Sequence, residues 1–485
     1  MNKLFHILVG CLLVAILCTV VACTDDDSFT SSSSNSLTFS TDTIKMDTVF
    51  SNVPTPTKTF WVYNRSGDGL RCRNVRLRNG NQSGFRVNVD GVYLGSESGY
   101  QTSDIEVRDK DSIRVFVELT SPENGGTDPE YLEDELVFTL ESGVEQEVVL
   151  NGYSWDADFV RNLVITRDTT FTGTKPRVVY GTIDVKEGAT LTLSAGTTLY
   201  FHSYAGIDVH GRLQSLGTAD NNVTLRGDRL DHMFDYLPYD LVSGRWGGLH
   251  FYEESYDNAI AYTDIHSAST AIMCDSSDIS RRKLILSSST VHNCQGAGIS
   301  VLNSNVVATN CQITNCLLDC VYIFGGVGEF SYCTIGQFYP FDSNRQNALY
   351  FCATPDDPVL LSCVNCLITG YGDDVISGDY TSEEAVLDYY FKDCILRTPK
   401  VDDEERFVNI IWEDPKDTAA IAGYKHFRVA DINKQYYDFH LNEKSPAIGK
   451  ASPDKELLFD RDGNTRDELP DIGCYEFILP KEKEQ

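Results

Sequence analysis

The stretch GYGDDVISGDY (370–380) brings three carboxylates, Asp373, Asp374 and Asp379, close together in the chain. Two or three carboxylates flanking a glycosidic bond can hydrolyse it, one as acid and another as base or nucleophile. Asp356 and Asp357 form a second pair in ATPDDPV, which reads as a turn. Arg397 and Lys400, in RTPK, offer the base that a lyase needs beside calcium-held carboxylates. The plainer reading of GYGDD is a solvated turn, and it is preferred here. The histidines are scattered, and none accompanies a serine in a nucleophile elbow. No phosphate loop or nucleotide fingerprint is present.

The elements that must position these residues are legible as a repeat. AYTDI (261–265), SSSTV (287–291), TNCQI (309–313), SYCTI (331–335), VNCLI (364–368) and KDCIL (392–396) align. Their third position reads Thr263, Ser289, Cys311, Cys333, Cys366, Cys394, and their fifth is aliphatic throughout. A second register gives Ala271, Gly298, Cys320 and Ala348. A short minimum step with longer excursions is the mark of a coil of short strands, in which equivalent residues stack about 4.8 Å apart. His266 and His292 then share one position in successive coils, where they are expected to stack on the outer surface.

The repeat also accounts for TNCQITNCLLDC (309–320). Cys311 and Cys320 fall in columns of small inward residues, and Cys316 is expected at a turn. Buried cysteine behaves as a small hydrophobe. Zinc would call for paired Cys-x-x-Cys or histidine spacing. Cys363–Cys366 is the lone such pair, so no metal ligand is assigned. Disulfides among the twelve cysteines that follow Cys23 remain the alternative outside the cytoplasm.

The NC-x-I steps and the run GATLTLSAGTTLYF (188–201) resemble the right-handed parallel β-helix of the pectate-lyase-like fold. The resemblance implies a solenoid over 157–440 and an activity, if any, on polysaccharides. Asp373–Asp374 is similar to the aspartate pair of polygalacturonases. The Asn-Thr-Asp and Gly-His-Gly motifs of that family are missing, so a complete catalytic set is not recognised. The long excursion RGDRLDHMFDYLPYDLVSGRWGG (226–248) carries Phe234, Tyr236, Tyr239 and Trp246, which could stack on sugar faces or fold back onto the coil.

Ahead of the coil, KTFWVYN, FRVNVDG, SIRVFVEL and DELVFTL are short alternating strands separated by turn signals. They predict a β-sandwich over 38–156 that resembles Ig-like domains. Residues 441–478 contain Ser445-Pro-Ala-Ile, Asp460-x-Asp-Gly-x-x-Arg466 and Pro470-Asp-Ile-Gly-x-Tyr-Glu476, which resemble the module called choice-of-anchor Q. This module is expected to cap the last coil, ahead of a charged tail, 479–485. Its DRDGN leaves calcium as the one optional ion; a turn held by an Asp–Arg pair is preferred. The fold expected is thus all-β: sandwich, right-handed parallel β-helix, C-terminal cap.

At the other end, Lys3 and an apolar run stopping at Cys23 describe an export signal, 1–22. Val20-Val21-Ala22-Cys23 resembles a bacterial lipobox, which implies lipidation of Cys23 and a membrane anchor. The acidic run Thr24–Asp27 and the serines of a 23–37 tether resemble surface lipoproteins of Bacteroidetes, implying the outer membrane, facing outward. A net charge of −31 disfavours nucleic acid. The function expected is a surface lipoprotein whose rod binds a glycan or a protein partner. The alternatives are a polysaccharide lyase or glycoside hydrolase, and a structural envelope component.

Overall fold

Alternation of buried and outward side chains organises many strands, as in Phe85–Val89, where Phe85, Val87 and Val89 are buried, whereas Gln312–Cys316 and Thr334–Gln337 are buried on both faces. In a strand this period of two lays all apolar groups on one face. The computed structural model describes residues 28–417 and 419–479. The expected export signal, the expected lipidation at Cys23, the first part of the expected tether and nearly all of the charged tail lie outside the described residues. Among those described, no helix is long and apolar enough to cross a membrane. The chain divides into two compact units, 1–155 and 156–485.

The first unit is a β-sandwich. One sheet holds Leu37–Phe39, Lys58–Asn64, Ser112–Leu119, Phe85–Val89 and Val92–Tyr93. The other runs Thr43–Phe50, Glu145–Trp155, Glu130–Leu140, Leu70–Leu77 and Gln101–Thr102, with Ile105–Val107 also on Leu70–Leu77. Phe60, Val62 and Val115 from one sheet share a core with Leu136, Phe138 and Val148 from the other.

The second unit is built on a coil of parallel strands with three faces, as the repeat predicts. Face A includes Thr263–His266, Thr290–Cys294, Gln312–Cys316, Thr334–Gln337 and Leu367–Gly370. Face B includes Gly206–Val209, Gly248–Phe251, Ile272–Cys274, Leu349–Ala353 and Ile376–Tyr380. Face C includes Arg212–Leu216, Asn258–Ala261, Leu284–Ser287 and Val359–Val364. The aliphatic column is in register through Ile265, Val291, Ile313, Ile335, Ile368 and Leu396. Burying one such side chain contributes roughly 1.5–3 kcal/mol.

The corner between faces C and A explains the neighbouring column. Tyr262, Ser288, Asn310, Tyr332, Asn365 and Asp393 all have positive φ. The left-handed conformation costs most residues roughly 1–2 kcal/mol, and Asn and Asp pay least. Each is followed by a small donor: Thr263, Ser289, Cys311, Cys333, Cys366 or Cys394. Each donor bonds the carbonyl two residues earlier, as in Ser289 Oγ to Ser287 O at 2.8 Å and Cys311 Sγ to Thr309 O at 3.1 Å. Thiol and hydroxyl therefore exchange freely in this column. All twelve cysteines of the described residues are buried free thiols. Cys316 ends a strand and pairs in register with Cys294, rather than lying in a turn as expected.

The C-terminal module departs from the expected position. The coil's last strand is Ile411–Trp412, and the following chain turns back along the outer surface of face A. Arg461 donates to Thr290 Oγ1 at 3.0 Å and to Asn222 at 3.0 Å. Cys474 N donates to Thr334 Oγ1 at 3.1 Å, and Tyr475 to Gln312 Oε1 at 2.8 Å. The corner asparagines Asn310 and Asn365 also bond it, to Phe459 O and Ser452 O. It is a staple across many coils, not a lid on the last one. A coil in which each turn touches only its neighbours gains most from such a cross-link. The hairpin Phe427–Asp431 with Tyr436–Leu441 packs with this staple through Phe427, Phe439 and Leu441. The final coils instead open into a cavity of about 530 Å³ lined by Phe351, Ile376, Leu387, Tyr389 and Phe407.

Candidate functional site

Parallel register carries outward residues of face B into a single row along the coil axis. It reads Asp184, Asp208, His250, Met273, Ser300, Tyr322, Tyr350 and Ser377. At about 4.8 Å per coil the row extends over about 34 Å. One end is charged and the other aromatic. Sequence alignment of the repeat missed this row, because the inward columns gave the repeat its signal. The traceable signal was the alternation GIDVH, GLHFY, LYFCA, in which the residue between two apolar ones points outward.

At the charged end, Lys186 Nζ lies 2.5 Å from Asp184 Oδ2. His210 Nδ1 lies 2.6 Å from Glu254 Oε1, and His250 Nε2 lies 3.0 Å from Asp275 Oδ2. Both imidazoles stack on Tyr252 with centroids 4.0 Å away. Burial, reinforced by the neighbouring Asp184 carboxylate, raises the Asp208 pKa, against the pull of His250. A polar cleft of about 270 Å³ continues from His210 and Glu254 to Arg212, Tyr256 and Arg281. At the aromatic end, Tyr322 and Tyr350 stack 5.4 Å apart, 7° from parallel, with Phe324 beside Tyr322 at 6.5 Å. Tyr322, Phe324 and Tyr350 are half-buried, so they leave a strip of aromatic surface along face B.

The acidic candidates read from sequence do not converge in this way. Asp373, with 85% of its side chain exposed, faces Arg397 at 3.8 Å. Asp374 accepts from the Ile376 amide at 3.3 Å and Asp379 from the Tyr380 amide at 2.8 Å, each within its own turn or strand. Arg397 is committed to the buried Glu413 at 3.1 Å, so it is not a free base. Glu413 in turn bonds His426 at 2.7 Å; burial would raise its pKa, but His426, the Gly423 amide and Arg397 hold it low. In DRDGN, Asp460 accepts from the Asp462, Asn464 and Glu476 amides and from the Asn464 side chain. Its carboxylate is thereby used within the turn, and Arg466 pairs instead with Glu476 at 2.6 Å.

The aromatic excursion divides. Trp246 is fully buried, stacked on Phe201 at 4.3 Å, and its indole donates to His266 O at 2.8 Å. It is core, which corrects its assignment as a sugar contact. The guanidiniums of Arg229 and Arg245 lie over the Tyr239 ring, 3.8 and 5.9 Å from its centroid. Phe234 and Tyr236 are half exposed and stack at 5.7 Å. His266 and His292 do stack, centroids 4.8 Å apart, but beneath this excursion rather than on an open surface.

Residues 162–347 match the family model described as a right handed beta helix region. With the register above, the coil of the second unit is a right-handed parallel β-helix. Among solved structures, pectate lyase Pel9A is similar at 10% identity, over 66% of this chain and 96% of that one, with a TM-score of 0.27. The Agl-KA catalytic domain is similar at 11% identity, over 74% and 80%, with a TM-score of 0.20. A family 123 glycoside hydrolase from Clostridium perfringens matches at 6% identity over 25% of this chain, TM-score 0.17. The chain spans about a quarter (26%) of that hydrolase's length. The comparison with curated proteins finds no match.

Proposed function

We propose that the protein is a lipid-anchored surface protein of the outer membrane whose β-helix binds a polysaccharide chain along face B. The observation that carries this reading is the single outward row running from Asp184, Asp208 and His250 to the stacked Tyr322 and Tyr350. Stacked rings would hold sugar faces, and the paired charges at the other end would bond hydroxyls. The carboxylates Asp184, Asp208, Asp275 and Glu254 outnumber the cations there, which favours a neutral glycan over an acidic one. The lipobox ending at Cys23 and the acidic tether support the location.

A second reading is a hydrolase on the same row. Its support is Asp208, a carboxyl raised by burial, one strand from the Asp184 carboxylate. A carboxyl with a raised pKa beside a second carboxylate is the kind of pair that glycoside hydrolysis uses. One experiment separates the readings. The full-length chain is incubated with neutral and acidic polysaccharides, with and without calcium, following gel retention and new reducing ends. Retention without cleavage supports binding; cleavage abolished by Asp208→Asn supports the enzyme. Neither retention nor cleavage across the panel would sink both and leave a structural envelope component.

A further inference from the structure

On face A, under the 226–248 excursion, Asp264 stands between two histidines of successive coils. Its Oδ1 lies 2.9 Å from His266 Nδ1 and 3.2 Å from His292 Nε2. One ligand atom from each of the three residues lies within 4.8 Å of the other two. Bonds of about 2.1 Å to one ion would put neighbouring donor atoms about 3.0 Å apart at right angles and about 3.4 Å apart at the tetrahedral angle. The two measured separations are of that size.

The surroundings add an independent observation. His266 has only 7% of its side chain exposed, and its Nε2 lacks a hydrogen-bond partner. That nitrogen faces Asp240 Oδ2 at 3.9 Å, and Asp240 Oδ1 is also without a partner. A metal-bound imidazole commonly directs its second N–H at a carboxylate, which fixes tautomer and orientation. Arg226 holds Asp240 at 2.8 Å, and Asn293 fastens the excursion through Leu241 O at 2.6 Å. The nearby cation Arg461 is engaged by Asp462 at 3.2 Å and Thr290 at 3.0 Å. Asp264 keeps a third of its side chain exposed, which leaves a way in for an ion.

We propose that Asp264, His266 and His292 bind one divalent first-row transition-metal ion of the zinc class, with Asp240 orienting His266. Two imidazoles and one carboxylate suit this class better than calcium or magnesium, which take oxygen ligands. The ion would tie two successive coils together beneath the excursion. The site lies on face A and stands independently of the glycan reading.

The full-length chain, stripped with a chelator, is titrated with cobalt(II) chloride and then zinc chloride. One equivalent of cobalt should bind with a visible ligand-field band, and zinc should displace it. X-ray absorption of the zinc-loaded wild type should show two imidazoles on the metal, a readout that needs no variant. His292→Ala and Asp264→Asn should each weaken binding about 10-fold or more, whereas His202→Ala, at a site paired with Asp228, should not. Absence of stoichiometric uptake by the wild type, or a metal shell without two imidazoles, would overturn the proposal. The three residues would then be a hydrogen-bonded His–Asp–His group only.

Discussion

His440 Nε2 lies 2.8 Å from Asp462 Oδ2, joining the hairpin of the C-terminal staple to its DRDGN turn. Its Nδ1 lies 2.5 Å from Asp438. Burial would lower the imidazole pKa, but the two carboxylates outweigh it and raise it to about 9. An unfolded histidine titrates near 6.5. Because the folded value is the higher one, the stabilisation is full below about pH 6.5 and is lost as pH rises through about 9. Urea unfolding of the wild type and His440→Gln should therefore differ most at the acid end of this window and converge above it. A difference constant with pH would remove the charge interaction as the cause.

Tyr322 and Tyr350 carry the binding reading, and each should matter separately. Aromatic stacking is worth about 0.5–1.5 kcal/mol per pair, or about 2- to 10-fold in affinity. Tyr322→Ala and Tyr350→Ala should each weaken retention of a bound polysaccharide by about that factor, with circular dichroism unchanged. Full retention by the double variant would place the glycan elsewhere.

Trp246 should behave as core. Replacing a buried tryptophan by alanine costs about 3–5 kcal/mol through lost burial and the cavity left against Phe201. Trp246→Ala should lower the urea midpoint strongly. Phe234→Ala, at a half-exposed ring, should leave it within about 0.5 kcal/mol. Equal effects would contradict the division of the excursion.

The donor column makes a chemical prediction. Cys311→Ser keeps a donor for Thr309 O, as Ser289 does one coil earlier, and should shift stability by about 1 kcal/mol or less. Cys311→Leu overpacks a fully buried position and should cost about 1–3 kcal/mol. Alkylation of denatured, unreduced protein should also label the twelve thiols that follow Cys23. A count near zero would show disulfides instead.

The sequence by itself determined the coil. Inward columns repeat because equivalent residues of a parallel stack meet the same surroundings, so Ile265, Val291 and Ile313 align in the chain as they do in space. The same logic made the cysteine column legible, and it placed His266 over His292. The β-sandwich was legible through period-two alternation.

What the tertiary structure alone decided lies on the outside of the coil. Nothing local distinguishes Trp246, which enters the core, from Phe234, which does not; the path of a long excursion depends on what it meets. The staple was expected at the coil's end because its own residues do not encode the partners Thr290, Gln312 and Thr334, distant in sequence. The face B row gathers residues from eight coils, and the excursions between them vary in length. Asp264 gains its meaning from His292, one coil on, and from Asp240, carried back by the excursion. Outward positions tolerate many residue types, so they leave little periodic trace in sequence, and only folding shows which of them converge.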